Sequence, residues 1–299
     1  MASDVKQLGP YQLVRQVGAS RTCHVWAARD PSRDRLVVVK ALQEAFRADR
    51  EQIGYLKHEM QVGSTLRHKN VVQMFEFRTD DDTPYLVMEL HEGRDLKELI
   101  QHQHDWVVYL ATKIIKQAGA GLQHMHQAGW LHCDVKPDNY LINESGEVKL
   151  TDFNIAQRQR RGVMSLFGGK KIQGTRSYMS PEQIRGERLD ARADLYSLGC
   201  MIFEMIAGEP PYRSGNADDL LNKHLKATVP LLVNVNENIT KDFCGLIART
   251  MAKDRQERPE SMDQFLRQFD KMNIFLSRVL RPQTAFGQAD ANDTPSENR

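Results

Sequence analysis

Six polar residues in this chain have the types and the order that phosphoryl-transfer chemistry requires. The run HCDVKPDN over residues 132–139 supplies a carboxylate, a lysine and an amide, and a second carboxylate follows at Asp152. Upstream, Lys40 ends the apolar run VVVK, and Glu59 lies on the segment after it. Such a set can orient an attacking hydroxyl, hold magnesium through oxygen atoms and neutralise phosphate charge. Taken alone, Lys40 or Glu59 fits an ordinary surface charge better.

The register of these residues resembles that of the protein kinases. HCDVKPDN is similar to the catalytic loop HRDLxxxN, DFN at residues 152–154 to the metal-binding triplet DFG, and VVVK to VAIK. The likeness covers about residues 11–269. The sequence around residues 178–200 most resembles the eukaryotic-like (Hanks-type) serine/threonine kinases of bacteria. Further matches are SPE where the family has APE, an aspartate that opens an apolar helix, and an arginine that pairs with the SPE glutamate: Glu182, Asp194 and Arg258.

The resemblance implies catalytic roles in the second half of the chain. Asp134 would accept or orient the proton of the substrate hydroxyl, and Lys136 would steady the transferring phosphoryl group as a point charge. Thr175 would hydrogen-bond near both and shape the pocket beside the acceptor, or it is a solvated loop hydroxyl. A lysine two residues after the base favours serine or threonine over tyrosine as the acceptor.

ATP and Mg²⁺ are the cofactors that the resemblance implies. Lys40 would contact the α and β phosphates with Glu59 as its ion-pair partner, and Asn139 with Asp152 would hold the metal. Backbone groups at the end of one strand would bind the adenine edge, and mainly apolar side chains would enclose the nucleotide. These cofactor-binding residues are Val17, Gly18, Val25, Val38, Lys40, Met88, Glu89, His91 and Leu141.

The loop that should cover the phosphates departs from the family pattern. GASRTCHV at residues 18–25 keeps one of the three glycines of GxGxxGxV. Glycine lets backbone amides approach phosphates in conformations that cost other residues free energy. We therefore predict weaker ATP binding or a less closed loop.

Three further departures concern regulation and the active pose. Asn154 replaces the glycine of DFG, a mild change because asparagine readily adopts left-handed backbone. Gly63 stands one helical turn after Glu59, where the family has a bulky apolar residue, so we expect a less firmly held helix. Cys133 replaces the arginine that pairs with a phosphorylated loop residue in many kinases, which favours regulation that does not depend strictly on that pair.

The segment between Asp152 and Glu182 contains six cations and no acid. A basic loop beside the acceptor favours acidic or already phosphorylated substrates, and a flexible solvated loop is the equal alternative. We expect no single phosphosite among Ser165, Thr175 and Ser177 to control turnover. The six cations are Arg158, Arg160, Arg161, Lys170, Lys171 and Arg176.

Composition excludes several classes of protein. A net charge of +2 over 299 residues gives no reason to expect nucleic acid binding. We see no signal peptide and no membrane segment, so the expectation is a cytoplasmic protein, with a fragment of a longer membrane protein left open. The four scattered cysteines indicate a reducing compartment, and buried structural thiols fit better than redox sensors at Cys23 and Cys133.

Periodicity predicts an α+β fold with two lobes. Residues 11–90 should form an N-lobe with a five-stranded antiparallel sheet and one helix over residues 48–66, and residues 91–280 a mainly helical C-lobe. Residues 1–10 are read as an extension and 281–299 as a disordered tail. The predicted strands cover residues 11–17, 23–29, 36–40, 71–78 and 85–90, and the C-lobe helices cover residues 106–126, 195–206, 218–226, 242–251 and 262–279.

The prediction is therefore a serine/threonine protein kinase that transfers the ATP γ-phosphate to protein hydroxyls, with autophosphorylation as one reaction. A pseudokinase that binds nucleotide or partners without turnover is the alternative, because of the depleted loop, Asn154 and Gly63. A small-molecule phosphotransferase of related fold also stays open, although Thr175 and the SPE segment argue for a protein substrate.

Overall fold

A curled antiparallel sheet forms the first part of the molecule. The computed structural model describes residues 7–159, 174–284 and 286. The sheet has six strands in the order β1-β2-β3-β4-β6-β5, and every neighbouring pair is antiparallel. The strands are β1 (Gln7–Leu8), β2 (Tyr11–Ala19), β3 (Cys23–Asp30), β4 (Arg35–Leu42), β5 (Met74–Asp80) and β6 (Thr83–Glu89).

The alternation of side chains along β4 positions the lysine that the sequence singled out. Val37, Val39 and Ala41 pack in an apolar cluster on one face of the sheet, whereas Val38 and Leu42 belong to the main core on the other. Because side chains alternate along a strand, Lys40 shares the face of Val38. That face is turned towards the helix that follows.

Helix α1 (Arg50–Gly63) begins at a well-formed cap. The side chain of Asp49 accepts hydrogen bonds from the backbone N–H groups of Glu51 (2.8 Å) and Gln52 (3.3 Å). Its buried residues fall at helical spacing and include Glu59, which is 1% exposed. A carboxylate on the buried face requires a partner, and Lys40 is in position to provide one.

The second part of the chain is mainly helical, so the predicted α+β fold class is confirmed. Helix α3 packs against α5, whose residues are nearly all buried. The helices are α2 (Leu96–His102), α3 (His104–Gln127), α4 (Pro181–Ile184), α5 (Ala191–Ala207), α6 (Ala217–Lys226), α7 (Lys241–Thr250) and α8 (Met262–Phe269), and the short strands are β7 (Arg94–Asp95), β8 (Trp130–Leu131), β9 (Tyr140–Ile142), β10 (Val148–Leu150) and β11 (Gln157–Arg158).

The helix predicted over residues 262–279 is wrong in its second half. Helix α8 ends at Phe269, and the chain then turns to pair with the segment before α7. Thr240 donates its N–H to the carbonyl of Ile274 (2.9 Å), and Phe275 forms a β-bridge with Ile239. Backbone pairing with that segment therefore overrides the local helical pattern.

The two ends of the described chain carry contacts that the sequence did not predict. Gln7–Leu8, assigned to an extension, pairs with β2 as a sixth strand. Within the segment predicted as disordered, Thr284 accepts a hydrogen bond from the indole N–H of Trp106 (3.0 Å), and Phe286 contacts the same ring edge-on. Residue 285 and residues 287–299 lie outside the described residues, where disorder stays a prediction. Across the described ranges, no helix has the length and apolar content needed to cross a bilayer.

Candidate active site

Lys40, Glu59 and Asp152 meet at the junction of the sheet with the helical part. The Nζ of Lys40 lies 2.8 Å from Oε2 of Glu59 and 3.2 Å from Oδ1 of Asp152. Glu59 is 1% exposed, Lys40 18% and Asp152 26%, so only Glu59 is fully removed from water. The arrangement leaves a mostly buried ammonium beside a carboxylate that still faces the cleft.

Electrostatics within this triad favour the charged lysine. Burial opposes the charge of Lys40, but Asp152 and Glu59 outweigh that effect and raise its pKa. Burial likewise opposes the charge of Asp152, and the nearby Lys40 lowers the pKa of that carboxyl. The group at Asp152 is thus held as a carboxylate.

A second cluster gathers Asp134, Lys136 and Thr175. The Nζ of Lys136 lies 2.8 Å from Oδ2 of Asp134 and donates to the hydroxyl of Thr175 at 2.9 Å. The backbone N–H of Thr175 donates to Oδ1 of Asp134 (2.8 Å). The predicted hydrogen bonding of Thr175 near both residues is therefore confirmed, whereas its role in catalysis stays a prediction.

The residues predicted to hold magnesium supply suitable oxygen atoms. Asn139 donates its amide N–H to the backbone carbonyl of Asp134 (2.8 Å), which fixes the side chain and leaves its oxygen as an acceptor. Asp152 uses Oδ1 for Lys40, so its second oxygen remains for a ligand. A carboxylate and an amide oxygen fit a hard cation that keeps several waters.

The loop that carries Asp134 is held in place by hydrogen bonds to Asp194. This buried carboxylate accepts from the backbone N–H groups of His132 (2.8 Å) and Cys133 (2.9 Å), while the side chain of Gln183 donates to the carbonyl of Cys133 (2.8 Å). Cys133 has a φ of +65°, a left-handed conformation that these bonds stabilise. The loop is therefore set by residues far along the chain.

The structure corrects the reasoning about Asn154. We expected its side chain to be tolerated because the position needs left-handed backbone, but Asn154 does not have a positive φ. The residue with that conformation is Asp152, at a φ of +65°. Its contact with Lys40 supports this strained backbone, and the change from glycine at residue 154 imposes no strain of this kind.

The predicted adenine contacts cluster where β6 ends. Val38 and Met88 are buried, and Val25 and Leu141 pack against the same core, whereas Val17 is exposed. Gly18 lies at the exposed end of β2. The N–H of Glu89 already donates to the carbonyl of Gln73 (2.8 Å), so its carbonyl oxygen is the remaining candidate for the base edge. His91 follows, with its ring against the carbonyl of Glu147 (3.2 Å).

The loop after β2 binds its own amides. The hydroxyl of Ser20 accepts from the N–H groups of Cys23 (3.0 Å) and Thr22 (3.4 Å), and Gln43 donates its side-chain amide to the carbonyl of Ser20 (2.8 Å). The resemblance places these amides in the loop that is predicted to cover the phosphates. The Ser20 hydroxyl thus uses amides that phosphate binding would need, a contact that the sequence did not reveal although the serine stands at a glycine position.

Removing the Ser20 hydroxyl is expected to lower the KM for ATP about two- to tenfold, the equivalent of one hydrogen bond of ~0.5–1.5 kcal/mol. Steady-state kinetics of Ser20→Ala and Ser20→Gly will measure it. The alanine variant isolates the hydroxyl, whereas the glycine variant adds backbone freedom. An unchanged or higher KM in Ser20→Ala would contradict competition by the hydroxyl.

The space beside Gly63 is filled by a residue from another element. A Cβ added at Gly63 would lie 2.2 Å from Cγ of Met74 and 3.4 Å from Cδ2 of Phe153. Met74, on β5, thus occupies the place of the missing side chain, between α1 and the residue after Asp152. The expectation that α1 is less firmly held is not supported by this packing. In the sequence, the missing side chain at Gly63 was the only indication that another residue fills this space.

Met74→Ala is expected to lower stability by about 2–5 kcal/mol through a cavity beside Phe153, and to lower kcat as α1 loosens. Gly63→Leu should be harmful alone, because its Cβ meets Met74, but should restore part of the loss in the Met74→Ala background. Thermal unfolding and kcat of wild type, the two single variants and the double variant test this. Gly54→Leu controls for helix propensity, since a Cβ there meets nothing within 4 Å. Strictly additive effects would exclude the compensation.

A set of contacts joins α1 to the chain just after Asp152. His58 donates from Nε2 to the carbonyl of Ala156 (2.7 Å) and meets the ring of Trp130 edge-on at 5.9 Å. The indole N–H of Trp130 donates to Thr65 (3.1 Å), and the guanidinium of Arg158 lies 4.1 Å from its ring centre. These contacts fix residues 156–158, at the start of the segment between Asp152 and Glu182, without any added phosphate. The sequence motifs gave no signal for these contacts.

Both cysteines near the site are buried. Cys23 and Cys133 are 4% and 5% exposed, and burial raises the pKa of Cys23. A buried thiol is a poor redox sensor, so the structural interpretation is favoured for both residues. The predicted pairing of Glu182 with Arg258 is also confirmed, with two bonds of 2.6 and 2.9 Å.

Residues 11–269 match the protein kinase domain, and the chain therefore belongs to the protein kinase family. It is 33% identical over 258 residues to the serine/threonine-protein kinase PrkC of Bacillus subtilis. It is 32% identical over 252 residues to PknE of Mycobacterium tuberculosis. The predicted class, a serine/threonine protein kinase of the Hanks type found in bacteria, is confirmed.

These matches cover 85% and 84% of this chain but 40% and 44% of those relatives, so the chain spans about two fifths of their length. Among solved structures, a cysteine-to-alanine mutant of the Mycobacterium tuberculosis PknI kinase domain superposes with a TM-score of 0.67 and 23% identity. That likeness covers 91% of this chain and 98% of the PknI domain, and it supports the fold.

Proposed function

We propose that this chain catalyses magnesium-dependent transfer of the ATP γ-phosphate to serine or threonine hydroxyls of proteins. The observation that carries the proposal is the closed set of bonds among Asp134, Lys136 and Thr175, which leaves a carboxylate and an ammonium side by side. A surface charge or helix cap has no need of this arrangement. Lys40, aligned by Glu59, completes the phosphate side.

The chemistry follows from the positions of these groups. Asp134 accepts the proton of the acceptor hydroxyl. The hydroxyl oxygen bonds to the γ-phosphorus as the bond between that phosphorus and the bridging oxygen breaks, and ADP leaves with the bridging oxygen. Lys136 neutralises charge on the transferring group, and Lys40 does so on the α and β phosphates. A magnesium ion bound by Asp152 and Asn139 would supply further neutralisation of the phosphates.

We also propose that turnover does not depend strictly on a phosphorylated loop residue. Cys133 cannot pair with a phosphate as arginine does. The contacts of His58 and Trp130 with residues 156–158 offer a link that needs no modification. Phosphatase-treated protein should therefore keep most of its turnover, and loss of nearly all activity would contradict this. Ser165 lies outside the described residues.

The pseudokinase alternative is favoured by one observation, the hydrogen bonds of Ser20 to the loop amides. Weak phosphate binding at that loop would reduce turnover even with every catalytic side chain in place. Binding of nucleotide without transfer would be the result that this alternative predicts.

Transfer of radiolabelled phosphate from ATP to matched serine, threonine and tyrosine peptides, and to the protein itself, tests the proposal. We expect transfer to the serine and threonine peptides, autophosphorylation, and loss of both when magnesium is chelated. Transfer to none of them by the folded protein would reject the kinase activity. Nucleotide binding would then distinguish a pseudokinase from an inert domain.

The class of protein substrate and the cellular compartment are also proposals. Arg176 is exposed next to Thr175, which favours acidic or phosphorylated protein substrates, but Arg158 is stacked on Trp130 and is less available for them. The predicted cations at residues 160, 161, 170 and 171 lie outside the described residues. Four buried cysteines that form no disulfide fit a reducing, cytoplasmic setting for this part of the chain. Peptides that differ only in acidic flanks will test the preference.

A further inference from the structure

A cavity of about 460 Å³ lies where the loop between α1 and β5 meets strands β4, β5 and β10 and the end of β6. Of the residues predicted to contact ATP or metal, only Glu89 lines it. The cavity is therefore separate from the cluster around Asp134 and from Lys40. Its lining residues are Arg35, Arg67, His68, Lys69, Val71, Gln73, Phe75, Glu89 and Lys149.

The charges that line this cavity are strongly unbalanced. Four cationic side chains face one carboxylate, and that carboxylate, Glu89, is already paired with Lys149 at 2.9 Å. Within the ranges that the structure describes, Arg35, Arg67 and Lys69 form no ion pair with an acid. Asp30 lies near enough to Arg35 for its charge to be felt, but Arg67 and Lys69 have no acidic partner among the described residues, so the cavity carries an excess of positive charge.

The cationic loop is held rigidly. The N–H of Asn70 donates to Nδ1 of His68 (3.1 Å), which places the proton of a neutral His68 ring on Nε2. The rings of His68 and His124 stack at 5.1 Å, and Nε2 of His124 accepts from the N–H of Arg67 (3.2 Å). The side chain of Asn70 donates to the carbonyl of Val148 (2.8 Å). A ligand would find the backbone of this loop and the His68 ring already arranged.

The other wall is also ordered. The guanidinium of Arg35 lies 4.0 Å from the ring centre of Phe75, so its planar fork is oriented by stacking. Burial lowers the pKa of His68, and the positive charges of its neighbours, including Lys69 and Lys149, lower it further. The His68 ring is therefore held neutral, with Nε2–H as a donor.

We propose that this cavity binds a phosphate group that carries two negative charges, presented either by a phosphorylated protein side chain or by free phosphate or diphosphate. Guanidinium groups at Arg35 and Arg67 match phosphate oxygens in pairs, Lys69 adds a mobile charge, and the Nε2–H of His68 adds a neutral donor. The site does not depend on the kinase activity proposed above.

The test uses two probes, pyrophosphate and a phosphoserine peptide, with the unphosphorylated peptide as reference. Isothermal titration with EDTA at low salt compares wild type with Arg67→Ala/Lys69→Ala, whose side chains are both exposed and should not be needed for folding. The variant Lys241→Ala/Lys271→Ala removes the same charge from exposed positions on the helical part. Thermal midpoints check that all three proteins are folded.

We expect both probes to bind about tenfold or more weakly to Arg67→Ala/Lys69→Ala and as in wild type to the control, because charge-assisted hydrogen bonds are lost. Stronger binding of the peptide than of pyrophosphate would assign the site to phosphorylated protein, and the reverse order to free phosphates. Equal binding by all three proteins would place the anion elsewhere and overturn the proposal, as would no binding to wild type at millimolar concentrations.

Discussion

Asp134→Asn is expected to lower kcat by about 10²–10⁴-fold while leaving the fold intact. The asparagine oxygen can still accept from the N–H of Thr175, so the local geometry survives. What is lost is the negative charge that takes the acceptor proton and that pairs with Lys136 at 2.8 Å. The effect should fall on kcat and not on the KM for ATP, because Asp134 faces the acceptor side of the site.

Single-turnover transfer from ATP to a serine peptide will measure this loss. Asp138→Asn is the matched control, since it removes one carboxylate from the same loop at an exposed position. It should retain turnover close to that of wild type. Comparable activity in Asp134→Asn and wild type would remove Asp134 from the chemistry and with it the main support for an active kinase.

Arg258→Ala is expected to lower the free energy of unfolding by about 3–5 kcal/mol, because it leaves the carboxylate of Glu182 buried without its partner. The side chains of Arg258 and Glu182 are 0% and 3% exposed, and the guanidinium makes two bonds to the carboxylate. It also donates to the carbonyl of Ala252 (2.8 Å). Chemical denaturation with a single probe of the helical part will measure the change.

An exposed pair provides the contrast. Arg267 and Asp263 are also bonded, but their side chains are 71% and 47% exposed. Arg267→Ala should therefore change stability by less than about 1 kcal/mol. The double change Glu182→Leu/Arg258→Met should cost less than Arg258→Ala, since no charge is left unpaired. A loss from Arg258→Ala no larger than from Arg267→Ala would show that burial of the pair does not matter.

Local patterns were enough to predict most of the elements. Alternation along β4 and the helical spacing around Glu59 each depend on neighbouring residues, and the structure has a strand and a helix there. The boundaries were less accurate, and the helix predicted over residues 262–279 failed because distant backbone pairing at Ile239 ended it. Periodicity contains no information about such a partner.

The catalytic motifs were readable from sequence because each is a short run whose residue types the chemistry demands. By itself, the sequence determined the class of protein and the identity of the side chains that meet at Lys40 and Asp134. Only the tertiary structure decided that Met74 fills the space at Gly63, that Ser20 occupies the loop amides, and that cations from three separate segments converge on one cavity. These relations join residues far apart in the chain, and their distances depend on how the core packs rather than on any local pattern.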